Sequence, residues 1–177
     1  MTNLFEWLRG VRPAAAARSD SDTIRRIVAE LDKLPPERAR YCAAFAYLLS
    51  RVAGADSHFS EVETEEMVDL LERVGHLPGP QATLVVEIAK SQNKLFGGTE
   101  NFLVAREFRE VASEDERQDL LRCLFAVATA DEAITPDEDA QIRQIAGELG
   151  VTHADFIQIR LAYSDKRTVL RRKNPDL

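Results

Sequence analysis

Residues 49–75 read LSRVAGADSHFSEVETEEMVDLLERVG and residues 124–150 read LFAVATADEAITPDEDAQIRQIAGELG, and the two stretches align without a gap at a constant offset of 75 positions. Leu49, Val52, Ala53, Ala55, Asp56, Glu63 and Gly75 meet identical residues at Leu124, Val127, Ala128, Ala130, Asp131, Glu138 and Gly150. A repeat of this length means that one supersecondary unit was used twice, and a unit of that kind buries its apolar face against its neighbour. Each copy reads as an apolar helix, a short acidic loop and a second helix. The expected architecture is therefore all-α, a single domain of two helical halves related by a pseudo-two-fold, with about eight helices and a shared core.

Periodicity supports this along the whole chain. Cys42, Phe45, Leu49 and Val52 recur at helical spacing in a helix expected over 36–54, and its alanines allow close approach of other helices. Met67, Leu70, Leu71 and Val74 form the stripe of the helix from Ser60, which is expected to stop at Gly75. The matching stripe in the second copy is Ile142, Ile145, Ala146 and Leu149, stopped by Gly150. Further helices are expected near 22–33, 80–94, 99–111 and 114–129, with a last one opened by Thr152 and Asp155. The helical domain thus spans 21–163, with the repeat at 36–75 and 111–150. Only 8 Gly and 7 Pro occur, and alternating β-branched runs are missing, so helices dominate.

The ends differ in character. Residues 1–20 begin with a short amphipathic segment bearing Leu4, Phe5, Trp7 and Leu8, followed by Pro13 and an alanine run. Residues 164–177 form a basic tail in which Lys166, Arg167, Arg171, Arg172 and Lys173 outnumber Asp165 and Asp176. Both are suited to weak peripheral contact with an anionic membrane surface or to a protein partner; the alternative is that they fold onto the body or stay solvated. The tail and the acidic remainder also attract one another. The net charge of -7 argues against nucleic acid as a partner. Nothing in the chain approaches a membrane span or a secretory signal, and Cys42 and Cys123 stand at non-equivalent apolar positions expected to hold buried free thiols. A cytoplasmic setting is the corresponding expectation.

The chemistry lies in the two loops. In each, an Asp stands seven residues before a Glu: Asp56 with Glu63, and Asp131 with Glu138. Paired carboxylates are hard oxygen ligands of the kind that Ca²⁺ or Mg²⁺ takes, so these four residues are the candidate metal ligands. The competing explanation is structural, because Ser60-x-x-Glu63 and Thr135-x-x-Glu138 are capping boxes and Pro136 sits at a favoured first helical position. An EF-hand is disfavoured, since the glycine and the terminal glutamate of its loop are replaced here by Glu61 or Pro136 and by Met67 or Ile142. His58, His76 and His153 lie in loops or at caps as surface residues, with His58 beside Asp56. No nucleophile elbow, phosphate loop, dinucleotide fingerprint or paired-cysteine zinc motif appears, so a catalytic role is not expected.

At these loops the sequence resembles the tellurite resistance TerB-like family, whose hallmark is a doubled Ala-Asp-Gly-x-Ile-(Ser/Thr)-x-x-Glu motif. Its copies stand here as Ala55-Asp56-Ser57-His58-Phe59-Ser60-Glu61-Val62-Glu63 and Ala130-Asp131-Glu132-Ala133-Ile134-Thr135-Pro136-Asp137-Glu138. The likeness spans roughly residues 36–163. It implies an all-α fold of two similar halves, a cytoplasmic bacterial setting, and a part in sensing or binding divalent metal within stress-response complexes. Related domains also stand beside J-domains in membrane-anchored cochaperones, which implies an interaction module with protein partners. Carried over by position, the implied ligands are Asp56, Glu63, Asp131 and Glu138. The family's glycine after the Asp is replaced by Ser57 in one copy and Glu132 in the other, a change that strains the turn if that position has φ > 0.

Overall fold

The computed structural model describes residues 20–53, 61–91, 101–129 and 134–164. Among these the chain is all-α, with eight helices and no strand. They are α1 (Asp20–Leu31), α2 (Pro36–Ala53), α3 (Glu61–Arg73), α4 (Gly79–Lys90), α5 (Asn101–Val111), α6 (Glu114–Ala128), α7 (Pro136–Glu148) and α8 (His153–Leu161). The bounds expected from periodicity hold to within a few residues, because the starts are written locally. Ser113, Thr135 and Thr152 each accept a hydrogen bond from the backbone N–H three residues on, which satisfies a donor that a helix start leaves orphaned.

Helix α2 is the axis of the molecule. A helix with one apolar stripe buries one face, but residues 41–50 are buried without interruption. Apolar residues all round a helix mean neighbours all round it, and α2 packs against α4, α5, α6 and α7. Ala43, Ala44 and Ala46 are fully buried, so neighbouring helices approach where a larger side chain would hold them off. The expected stripe of Cys42, Phe45, Leu49 and Val52 is part of this surface, and the alanines complete it. Tyr41, Phe45 and Phe108 form an aromatic cluster between α2 and α5, with ring centroids 4.9 to 6.0 Å apart. Burying each such ring contributes on the order of 1.5–3 kcal/mol. A second cluster, Phe125 with Phe156 and Tyr163, fastens α8 to α6.

The two copies exchange contacts: α7 packs on α2, and α3 packs on α6, so each copy's second helix leans on the other copy's first. One apolar cluster contains residues from both. The exchange is unequal in depth. Ile142, Ile145, Ala146 and Leu149 are all buried on α7, whereas on α3 only Leu71 is fully buried and Met67, Leu70 and Val74 are half-buried. The outer helices differ as well, since α5 lies along α2 while α1 is seated chiefly on α4.

Helices α3 and α7 also end differently. At α7, Gly150 takes a left-handed φ of 68°, its N–H reaches the Gly147 carbonyl, and the Val151 N–H reaches that of Ala146. This is a Schellman end. At α3 the left-handed residue is not the expected Gly75 but His76, at φ 51°, and the closing bond runs from the Leu77 N–H to the Leu71 carbonyl. Gly75 is bare for another reason: a Cβ there would lie 2.7 Å from the Leu71 oxygen and 3.0 Å from Cys123 Sγ on α6. The glycine lets α3 meet α6, and the turn moves on by one residue to a histidine, a residue type enriched in that conformation.

Candidate functional site

Glu63 and Glu138 hold the same place in two helices of equal length, the third residue of α3 and of α7, each 13 residues long. At α7 the capping box is complete. The Thr135 N–H and Oγ1 both donate to Glu138 Oε2 at 2.8 Å, and the Glu138 N–H donates to Thr135 Oγ1 at 3.2 Å. Pro136 and the acidic first turn of Asp137, Glu138 and Asp139 suit the positive end of the helix dipole. Ile134, the apolar residue three positions after Asp131, is buried as a loop anchor should be. Glu63 is exposed in the first turn of α3. Asp56, Ser60 and Asp131 lie outside the described residues, as do His58, Ser57 and Glu132. Among the described residues, no three His, Cys, Asp or Glu side chains converge in a way that would hold a metal ion.

The charges that sequence reasoning left unassigned are largely paired across helices. Arg38 on α2 donates to Gln81 Oε1 at 2.6 Å and to Glu116 Oε1 at 2.7 Å, with its guanidinium 4.1 Å from the Tyr41 ring centre. Glu116 thereby joins α6 to α2 with one oxygen while the other accepts from the Ser113 N–H. Arg51, at the end of α2, pairs with Glu148 of α7 at 2.8 Å with only 6% and 12% of the two side chains exposed. Its Nε is buried without a hydrogen-bond partner among the described residues. Asp139 grips Arg160 of α8 through both oxygens, and that bond holds the guanidinium above its ordinary pKa. The exposed His76 ring has Nδ1 2.8 Å from the buried Asp119 carboxylate, whose other oxygen accepts from Arg122 at 2.6 Å. The partners across helices stand 21 to 97 positions apart and carry no local signal, so the sequence marks none of these inter-helix pairs.

The sequence matches the family of tellurite resistance protein TerB over residues 41–161, more than half of the 177-residue chain. This chain belongs to the TerB family. No match was found among curated proteins or among solved structures. The matched span runs from within α2 to the end of α8, so the TerB region takes in both acidic loops and leaves α1 and the tail outside.

On the surface of this TerB domain one helix stands apart in its charge. Helix α3 bears Glu61, Glu63, Glu65, Glu66, Asp69 and Glu72 against a single cation, Arg73. Positions 62, 65, 66 and 69 share one face at helical spacing, opposite Leu71, and all four are exposed, with Val62 65% so. Elsewhere the acids in helix interiors are answered: Glu87 by Arg26, Glu107 by Arg40, Glu110 by Arg106 and Glu148 by Arg51. Glu65, Glu66 and Asp69 form no ion pair among the described residues. The nearby cations are engaged otherwise, Lys90 by Thr64 Oγ1 and Arg73 by the Asp69 carbonyl. Like charges three and four residues apart destabilise a helix by roughly 0.2–0.5 kcal/mol per pair, and Asp69 lies toward the negative end of the dipole.

Two other features offer less. A groove of about 480 Å³ between α1 and α4 is floored by Leu34, Pro80 and Leu84. Its rim charges cancel in the pairs Arg26 with Glu87 and Lys33 with Glu30. Cys42 and Cys123 are buried free thiols, as expected. Burial pushes the Cys42 thiol up to about 11 and that of Cys123 higher still, which keeps both protonated and unreactive near neutral pH. No helix among the described residues is long and apolar enough to cross a membrane.

Proposed function

We propose that this TerB domain is a non-catalytic regulatory or adaptor module of the bacterial cytoplasm, acting in a stress or tellurite-resistance setting by holding a basic protein segment on the outer face of α3. The observation that carries the reading is that exposed Glu65, Glu66 and Asp69, beside exposed Val62, form no ion pair among the described residues, whereas Glu87, Glu107, Glu110 and Glu148 on other helices each do. A Lys/Arg-rich segment with one apolar residue complements that face in charge and in shape. Titration of a lysine- and arginine-rich peptide into the full chain, followed by calorimetry and by amide shifts, tests it. Binding should centre on α3, weaken steeply with salt, and fall at least tenfold in an E65Q/E66Q/D69N variant. Equal binding by that variant would remove α3 from consideration.

A second reading has its own support. Glu63 and Glu138 occupy matching first-turn positions, and with Asp56 and Asp131 they form the carboxylate set that the family motif implies for a divalent cation of the Ca²⁺ or Mg²⁺ class. Glu138 already gives Oε2 to the cap, so a cation at that loop takes the remaining oxygen or breaks the box. Titration with Ca²⁺, Mg²⁺ and Mn²⁺ decides it: heat in the parent that disappears in E63Q/E138Q supports the site, and a silent parent leaves the capping role alone. The rival view of a purely structural protein-interaction or membrane-peripheral scaffold, in which the acidic residues serve only as helix caps, predicts no response to either titrant.

A further inference from the structure

We propose that α1 is an autoinhibitory latch: it opens from α4 as a unit while α2 to α8 stay folded, and the strip it uncovers docks a partner's amphipathic helix patterned like α1 itself. Helix α2 takes its neighbours from α4, α5, α6 and α7, and α4 is gripped by α2 and α3, so the central packing does not pass through α1. Of the side chains described on α1, only Ile27 and Leu31 are fully buried. An element held by few buried apolar contacts opens at a lower free energy than the whole domain. Helix α1 also lies outside the span that matches TerB, whereas its seat on α4 lies inside it.

The seam is open along one flank. Pro80, Thr83, Leu84 and Glu87 form one stripe of α4 at helical spacing, and Arg26, Glu30, Lys33 and Leu34 line the other side of a groove of about 480 Å³. A close-packed helix pair leaves no such space. The ion pair across it, Arg26 with Glu87 at 3.1 Å, has side chains 62% and 32% exposed, and a pair so solvated holds little. The hinge is sharp. The N–H groups of Asp32, Lys33 and Leu34 all donate back into α1, the Pro35 carbonyl accepts from Ala39 of α2, and no described backbone bond crosses between Leu34 and Pro35. Pro35 and Pro36 have no N–H to add one. Helix α1 with residues 32–34 is thus one arm on a single joint. Its seat defines the partner: a helix with two apolar residues four apart, as Ile27 and Leu31 are, and a cation just before the first to meet Glu87 as Arg26 does. Docking of this kind is read from anchors at i and i+4, and the tethered α1 is its built-in competitor.

Native-state hydrogen exchange on the full chain tests the latch. The amides of residues 27–34 should exchange at least ~100-fold faster than those of residues 43–50 in α2. Their opening should depend only weakly on urea, because little surface is exposed. Exchange of both segments through one opening, with the urea dependence of global unfolding, overturns the proposal. In the second arm, an acetylated peptide of residues 20–34 is titrated into the parent and into an I27S/L31S variant of the full chain, in which the arm has lost its two anchors. The variant should keep the parent's α6 and α8 amide shifts and bind the peptide ~10-fold more tightly, as expected when an internal competitor is weakened. The shifts on binding should centre on residues 80–87, and adding E87Q should weaken the peptide several-fold. Loss of the α6 and α8 shifts shows α1 to be integral to the fold and overturns the proposal. A folded variant that binds the peptide no better than the parent overturns it as well.

Discussion

Gly75 and Gly150 align in the sequence, yet they are glycines for different physical reasons. At Gly150 the backbone is left-handed and the Arg109 guanidinium sits 3.0 Å from where a Cβ would stand. Gly150→Ala should lower stability by about 1–2 kcal/mol, the penalty of a left-handed L residue. At Gly75 the obstacle is the Leu71 carbonyl oxygen at 2.7 Å, which is backbone and cannot move aside, so Gly75→Ala should cost about 1–3 kcal/mol or more as overpacking. Denaturant midpoints of the two variants check this, and a harmless Gly75→Ala would contradict the tight fit of that position against the Leu71 carbonyl and Cys123 Sγ. The thiols make a second prediction at this scale. Burial raises Cys42 from the ordinary 9.0 to about 11, so the folded state holds the proton more tightly than the unfolded one. The associated stability, about 2–3 kcal/mol, is present in full below pH 9 and is lost as pH climbs through 11. Cys123 and Tyr41, both raised by burial, act in the same direction. Urea midpoints should fall between pH 9 and pH 11, less so for Cys42→Ala.

Among the elements, helix starts were legible and helix depths were not. Thr135-x-x-Glu138 and Ser113-x-x-Glu116 can be read as capping boxes because every atom involved lies within four residues, and both boxes are present. Thr135→Ala should therefore cost about 1 kcal/mol, while Glu138→Gln, which still accepts the Thr135 N–H, should stay within about 0.5 kcal/mol of the parent. Thermal or urea unfolding of the pair separates the cap from any role of the Glu138 charge in cation binding. The stripes of α3 and α7 look alike in sequence, yet α7 is sunk in the core and α3 lies half on the surface. What separates them is what each helix faces, which periodicity does not encode. The same holds for α2, where a four-residue stripe was visible but the burial of its whole circumference depends on neighbours drawn from both halves.

Across the whole molecule, the pair Arg51 with Glu148 carries the clearest prediction. It ties the end of α2 to the end of α7, in different copies, with both groups almost out of water. Removing one partner strands the other: Glu148→Ala alone should cost about 3–5 kcal/mol, whereas Arg51→Met combined with Glu148→Leu should cost far less. A double-mutant cycle on unfolding free energies reads the difference, and additive losses would show that the pair is solvated in solution. The sequence by itself determined the helical class, the order of the described helices, the TerB resemblance and the caps, because these rest on periodicity, on repeated residues and on contacts a few positions apart. Only the tertiary structure decided which helix becomes the axis, which of two like helices keeps an acidic face in water, and which distant charges meet. Those outcomes depend on how faces dock and exclude solvent, and a chain states its faces without stating what will lie against them.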